Sequence, residues 1–127
     1  MFVTGSRQKR LLVVEDNDVQ RNATMELLKL PGYFVMAASS GEEALQYIHE
    51  KIDLIVTDFN MGVLNGGDVL KRWLKIKPDT HFIFLTAEDR AETAVKMIRS
   101  GATEYLIKPV NPDVLLAKIE EALHSVY

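Results

Sequence analysis

Residues 11–16 read Leu-Leu-Val-Val-Glu-Asp and residues 54–58 read Leu-Ile-Val-Thr-Asp, an unbroken apolar run followed by acid, directly in the first and after Thr57 in the second. Neither run alternates apolar and polar residues, as a strand with one wet face would. Apolar residues at successive positions mark a strand covered on both sides, the habit of a parallel sheet between helices. Three more runs follow the same rule: Phe34–Ala38, Phe82–Leu85 and Tyr105–Ile107.

Between and after these runs the apolar period lengthens to that of a helix. The first helix is predicted from Asp18 to Leu30, with Ala23, Leu27 and Leu30 on one face, stopped by Pro31-Gly32. A capping box from Ser40 to Glu43 opens the second, which buries Ala44, Leu45 and Ile48. Val69, Leu70, Trp73 and Leu74 stripe the third. The fourth starts near Asp89 and presents Ala91, Ala94, Val95 and Ile98 until Gly101 closes it. The fifth takes Asn111 as N-cap and Pro112 in its first turn, and buries Leu115, Ile119, Ala122, Leu123 and Val126. Five such units predict an α/β, flavodoxin-like, doubly wound parallel sheet of order 2-1-3-4-5 with five helices. That order reverses between strands 1 and 3, and ligands bind at the carboxyl ends beside such a reversal.

The remaining composition narrows the class. A length of 127 residues with 47% apolar and 26% charged residues suits one soluble domain. Residues 1–8 are read as a flexible N-terminal extension and residues 9–127 as the domain. A net charge of −3 offers no broad attraction to nucleic acid or to an anionic membrane. No run is long enough to span a bilayer, and the absence of cysteine removes disulfides, thiolate metal sites and a thiol nucleophile. A reducing, cytoplasmic location fits.

The residue after each apolar run carries the chemistry. Glu15 and Asp16 follow the first run, Asp58 the third, Thr86 the fourth and Lys108 the fifth. In the expected strand order these ends share one rim. Three carboxylates there repel one another unless a cation sits among them, and a set of hard oxygens favours Mg²⁺, with Mn²⁺ as an alternative. Relief of that repulsion predicts that Asp58→Ala or Asp16→Asn stabilises the metal-free protein. Lys108 supplies a charge and Thr86 a hydroxyl for phosphoryl oxygens, while a carboxylate nucleophile can form an acyl phosphate.

Five motifs give the chain a family resemblance: Glu15-Asp16, Asp58 with Asn60 and Met61, Gly66, Thr86-Ala87 and Lys108-Pro109. The sequence resembles the receiver domain of two-component response regulators from Lys9 to Val126. The resemblance implies a bacterial, cytoplasmic signalling domain that is not an enzyme but assists its own phosphorylation and autodephosphorylation. It implies Asp58 as phosphoacceptor, taking the group from the phosphohistidine of a histidine kinase or histidine phosphotransfer protein. Mg²⁺ would be held by Asp16, Asp58 and the Asn60 carbonyl, with Glu15 acting through water. Thr86, Ala87 and Lys108 would bind the phosphoryl group. Thr86 and Tyr105 would form a switch in which Thr86 moves toward Asp58 and Tyr105 rotates inward. The surface that changes would be the fourth helix, fifth strand and fifth helix, which also suits a phosphorylation-dependent homodimer; the output partner is unspecified. Asn60 and Glu88 lie two residues beyond Asp58 and Thr86, where they would tune dephosphorylation. Gly62, where the family usually has proline, and Leu64-Asn65, in place of Met-Asp, depart from the pattern and point to a more mobile loop.

Rival chemistries fit less well. An aspartate-nucleophile phosphatase would use Asp16 and Asp18, but Gln20 stands where a small residue is wanted. A flavin carrier of the same fold needs a phosphate cradle where Glu15-Asp16-Asn17-Asp18 would repel one. A receiver-like module that works without phosphorylation leaves the complete set of rim residues unexplained.

Overall fold

The computed structural model describes residues 7–124. It contains β1 (Arg10–Val14), α1 (Asp18–Lys29), β2 (Phe34–Ala38), α2 (Gly41–Leu45), β3 (Leu54–Thr57), α3 (Gly66–Ile76), β4 (His81–Thr86), α4 (Ala91–Arg99), β5 (Glu104–Ile107) and α5 (Pro112–His124). The strands form one sheet in the order β2-β1-β3-β4-β5, and all four pairings are parallel. Val14 lies opposite Thr57 and Thr57 opposite Phe84, so β1 and β3 end level while β4 runs two residues further, to Thr86, which lies opposite the last residue of β5, Ile107.

Alternate strand residues feed two cores. Leu11, Val13, Leu54, Val56 and Ile83 pack with Leu28 of α1 and with Leu115 and Ile119 of α5. Leu12, Val14, Ile55, Phe82 and Phe84 pack on the other face with Ala44, Val69, Leu70, Trp73 and Met97 of α2, α3 and α4. Full burial of each large apolar side chain is worth about 1.5–3 kcal/mol, so these two layers fix the level of the strand ends. Trp73 is fully buried, and its indole donates to Thr80 Oγ1 at 2.9 Å, leaving its N–H satisfied.

Several helix details differ from the periodicity. In α1 the buried residue is Leu28, while Ala23 is exposed and Leu30 is 78% exposed. Leu30 is already the C-cap and peels away toward Pro31-Gly32. Regular α2 ends at Leu45, before Ile48. Ser40 Oγ caps the Glu43 amide as expected, but the Glu43 carboxylate turns back to the amide and hydroxyl of Ser39. The fourth helix begins at Ala91, with Arg90 at its N-cap, and it buries Thr93 and Met97. Val95 and Ile98 face outward and Ala94 is half-buried. Ahead of the helix, Arg90 pairs with Glu88 within the β4–α4 loop, and the Glu88 main chain bonds Thr86 Oγ1 and the Tyr105 hydroxyl.

The α3 stripe and the start of α5 follow the reading: Val69, Leu70 and Trp73 are buried, and Asn111 Oδ1 accepts from the Asp113 amide at 2.7 Å. Val126 and residues 1–6 lie outside the described residues. Arg7 pairs with Asp53 at 2.8 Å, and Gln8 donates to the Gly32 carbonyl at 2.9 Å. Among the described residues no helix is long and apolar enough to cross a membrane.

Candidate phosphoacceptor site

The strand ends deliver Glu15, Asp16, Asp58, Thr86 and Lys108 to one rim. One carboxylate oxygen from each of Glu15, Asp16 and Asp58 lies within 4.8 Å of the others. Glu15 is buried, Asp58 half-buried and Asp16 exposed, so the group opens to solvent on one side. The Thr86 hydroxyl donates to Asp58 Oδ1 at 2.6 Å, and the Phe59 amide donates to the same oxygen at 2.6 Å. Lys108 Nζ donates to Asp58 Oδ2 at 3.1 Å, to Glu15 Oε1 at 2.8 Å and to Gln20 Oε1 at 2.5 Å. All three ammonium hydrogens thus have acceptors.

The charges are mutually dependent. Burial pushes the Glu15 carboxyl above its ordinary range; Lys108 pulls it back only in part, and the Asp58 charge adds to the rise. For Lys108, burial favours the neutral amine, but its bonds to Glu15 and Asp58 outweigh this and raise its pKa. The ammonium is therefore fixed in its charged form between two carboxylates.

Glycine at position 66 is what lets α3 start against this loop. A Cβ there would stand 2.3 Å from the Asp58 carbonyl oxygen and 2.8 Å from the Phe84 ring. The Gly66 amide instead donates to the Phe59 carbonyl at 2.7 Å. Asn65 caps the helix in a reciprocal box with Asp68, so the departure at position 65 keeps a working cap. Gly62 has φ +89°, a conformation closed to proline, and the loop here follows a path that the usual residue would forbid.

Asn60 is exposed on this loop and Ala87 is exposed at the end of β4, which leaves the mouth uncovered. Glu88 stands beside it. Arg90 holds the Glu88 carboxylate through Nε at 2.7 Å, and this pairing, helped by the Asn60 side chain, keeps Glu88 below the usual carboxylate range. The Glu88 amide donates to Thr86 Oγ1 at 3.1 Å, and its carbonyl accepts from the Tyr105 hydroxyl at 2.9 Å. Tyr105 stacks on Phe84 with ring centroids 5.5 Å apart, and burial beside Glu88 and Asp58 pushes its phenol up to about 12. Thr86 is thus buried against Asp58, and Tyr105 lies against Phe84 with its hydroxyl on the Glu88 carbonyl.

Sequence reasoning passed over three participants. The Phe59 amide carries no side-chain signal. Gln20 and Arg21 sit one turn into α1, and only their position just beyond an acidic strand end hinted at the site. Arg21 donates to the Glu15 carbonyl at 2.9 Å and to Asp18 at 2.7 Å. His49, His81 and His124 take no part in these contacts.

Residues 11–120 match the family model described as the response regulator receiver domain. The transcriptional regulatory protein ZraR of Escherichia coli (strain K12) is 37% identical over 120 residues, which cover 91% of this chain and 27% of that protein. The chain therefore spans about a quarter of that relative's length. The receiver domain protein (CheY-like) from Methanospirillum hungatei JF-1 superposes with a TM-score of 0.88 at 33% identity, over 92% of this chain and 94% of that one. A response regulator protein from Burkholderia pseudomallei, crystallised with a phosphorylated aspartic acid, a calcium ion and citrate, gives 0.81 at 31% identity, over 93% and 68%.

Proposed function

Because this chain belongs to the response regulator receiver family, we propose that it is the phosphoacceptor of a two-component phosphorelay, taking its phosphoryl group onto Asp58. One observation carries the reading: Thr86 and Lys108 donate to the two different oxygens of Asp58, with Glu15 and Asp16 gathered alongside. These donors hold the carboxylate in place before reaction and are the groups a phosphoryl oxygen would meet after it.

In the transfer, an Asp58 carboxylate oxygen attacks phosphorus while the bond from phosphorus to the donor imidazole nitrogen breaks. The electron pair leaves with that nitrogen, which regenerates the histidine of a kinase or phosphotransfer protein. The residues fit Mg²⁺ or Mn²⁺: three hard carboxylate oxygens converge, and the exposed side at Asp16 leaves room for coordinated water. Glu15, Asp16, Asp58 and the Asn60 main-chain carbonyl would hold it. When bound, the ion neutralises negative charge shared by the carboxylates and the phosphoryl oxygens. Lys108 keeps its charge throughout, and the Phe59 amide fixes one Asp58 oxygen.

Output follows from the hydrogen-bonded chain Asp58–Thr86–Glu88–Tyr105. A phosphoryl group that re-aims the Thr86 hydroxyl disturbs the Glu88 amide, and with it the carbonyl that Tyr105 grips. Such coupling is ordinarily about 1–3 kcal/mol. The responding face is α4, β5 and α5, including Arg90, Lys96 and Tyr105. Exposed Val95, Ile98 and Ile107 on it suit a second copy in a phosphorylation-dependent homodimer, or an output partner. Direct nucleic-acid or membrane binding is not part of this role, and a cytoplasmic setting matches it.

The test is incubation with acetyl phosphate, with and without Mg²⁺. An acid- and base-labile adduct is expected only with the ion, and Asp58→Asn is expected to abolish it. Persistent labelling of Asp58→Asn refutes the assignment. Beryllofluoride should shift the Tyr105 and α4 resonances in the wild type and shift them less in Thr86→Ala; equal shifts in both refute the Thr86 coupling.

A further inference from the structure

The acidic loop between β1 and α1 is fastened from one side by Arg21. Its Nη1 donates to the Glu15 main-chain carbonyl at 2.9 Å and its Nη2 to Asp18 Oδ1 at 2.7 Å. The Arg21 side chain is only 17% exposed, whereas Asp18 is 81% exposed. The guanidinium is therefore laid against the loop, unlike that of an ordinary surface ion pair. Its planar fork reaches two acceptors at once, one of them main chain.

The loop has two further long-range ties, both at Glu15: its amide donates to the Ala38 carbonyl at 3.1 Å and its Oε1 accepts from Lys108 at 2.8 Å; the rest are local. The Asn17 amide donates to Glu15 Oε2 at 3.1 Å, and Asn17 Oδ1 accepts from the Gln20 amide at 2.9 Å. Between them Asp16 is exposed, and its carboxylate makes no hydrogen bond or ion pair among the described residues. The location of that carboxylate depends on the backbone that carries it; the Glu15 amide is held by Ala38, and Arg21 pins the next peptide, at the Glu15 carbonyl that leads into Asp16.

We propose that Arg21 is a positioning residue for divalent-cation binding, holding the Glu15–Asp18 loop so that the Glu15 and Asp16 carboxylates converge on Asp58. The inference rests on the Mg²⁺ reading above. Charge and geometry make opposite demands on this residue. A guanidinium beside a dication site repels the ion, so as a mere charge Arg21 would weaken binding. As a fastener it strengthens binding by preorganising the ligands.

The experiment is an Mg²⁺ titration of the full chain, followed by amide NMR shifts at Asn17 and Phe59, for wild type, Arg21→Met and Arg21→Lys. Arg21→Met is expected to weaken Mg²⁺ binding about 10-fold, the lower end for loss of an outer-shell partner, despite removing a repulsive charge. Arg21→Lys keeps the charge without the fork and is expected to weaken it to a similar degree. Acetyl phosphate labelling of both variants should return to the wild-type rate at saturating Mg²⁺, a recovery that general damage to the fold would not allow. Undiminished or tighter Mg²⁺ binding by Arg21→Met overturns the inference alone. If Arg21→Met does not fold, wild-type affinity in Arg21→Lys overturns it instead. Failure of the wild type to bind Mg²⁺ overturns the proposed function together with it.

Discussion

Gly66 and Gly67 are adjacent in the first turn of α3, and alanine should have opposite consequences at the two positions. At Gly66 an added Cβ meets backbone: the Asp58 carbonyl oxygen at 2.3 Å, with the Phe59 Cα at 3.2 Å and the buried Phe84 ring at 2.8 Å. Reaching even 3.0 Å, below which real Cβ contacts essentially never fall, requires the helix and the Asp58–Phe59 loop to part by about 0.7 Å. That parting also strains the bond from the Gly66 amide to the Phe59 carbonyl. Overpacking costs about 1–3 kcal/mol and a weakened hydrogen bond about 1 kcal/mol, against about 1 kcal/mol gained from alanine's helix propensity. Gly66→Ala should therefore destabilise by about 1–3 kcal/mol. At Gly67 the nearest atoms are Met97 Sδ and Cε at 3.0 and 3.1 Å, the far end of a flexible side chain. Gly67→Ala should lie between neutral and about 1 kcal/mol stabilising. Urea unfolding followed by circular dichroism measures both, and labelling by acetyl phosphate should fall only for Gly66→Ala, because only there is the Asp58 main chain displaced. Equal stabilities for the two variants, or a larger loss for Gly67→Ala, would refute the reasoning.

The two charge-removing variants at the rim should also part company. Asp16 is exposed and unpaired among the described residues, so Asp16→Asn should raise the metal-free melting temperature by about 1–3 °C. Asp58→Ala should lower it, because the sequence-based expectation of relief omitted the bonds from Thr86, Phe59 and Lys108 that this carboxylate accepts; equal rises in the two variants would contradict this. The acyl phosphate should be short-lived, since Asn60 and Ala87 leave the mouth open to water, and Asn60→Arg should lengthen its lifetime; survival for hours in the wild type would count against that. Burial opposes ionisation of Asp53, but Arg7 and the Arg10 amide outweigh it and lower its pKa. A depressed carboxyl pKa stabilises the fold above the unfolded value, near 3.9, and that stability is lost as pH falls through the folded value. The lead of wild type over Asp53→Asn should therefore shrink below about pH 4, and a constant difference from neutral to acid pH would refute the pairing. Tyr105 should ionise near 12 in a spectrophotometric titration, later than an ordinary tyrosine, and Tyr105→Phe should remove that late step.

The architecture was legible because its signals are local. Apolar runs without alternation identify covered parallel strands, and the residue closing each run must lie at the carboxyl edge of the sheet. Glu15, Asp16, Asp58, Thr86 and Lys108 could thus be gathered from strand order alone; in register β1 and β3 end together, and β4 and β5 end together with β4 two residues longer at that edge. What periodicity lacks is the rotation of a helix about its axis. The α4 sequence offers apolar residues on more than one meridian, and packing against the core turns Thr93 and Met97 inward, leaving Val95 and Ile98 in solvent. Leu30 is apolar and in phase, yet the chain has left the helix by then. The same limit hid the contacts of long side chains. Lys108 meets Gln20 across 88 residues of sequence, and the Tyr105 hydroxyl meets a carbonyl with no side-chain identity at all. Sequence supplies the groups and the strand ends that carry them. Where a flexible ammonium, guanidinium or phenol comes to rest depends on which acceptors packed elements bring within about 3 Å, the range of a hydrogen bond, and only the assembled tertiary structure settles that.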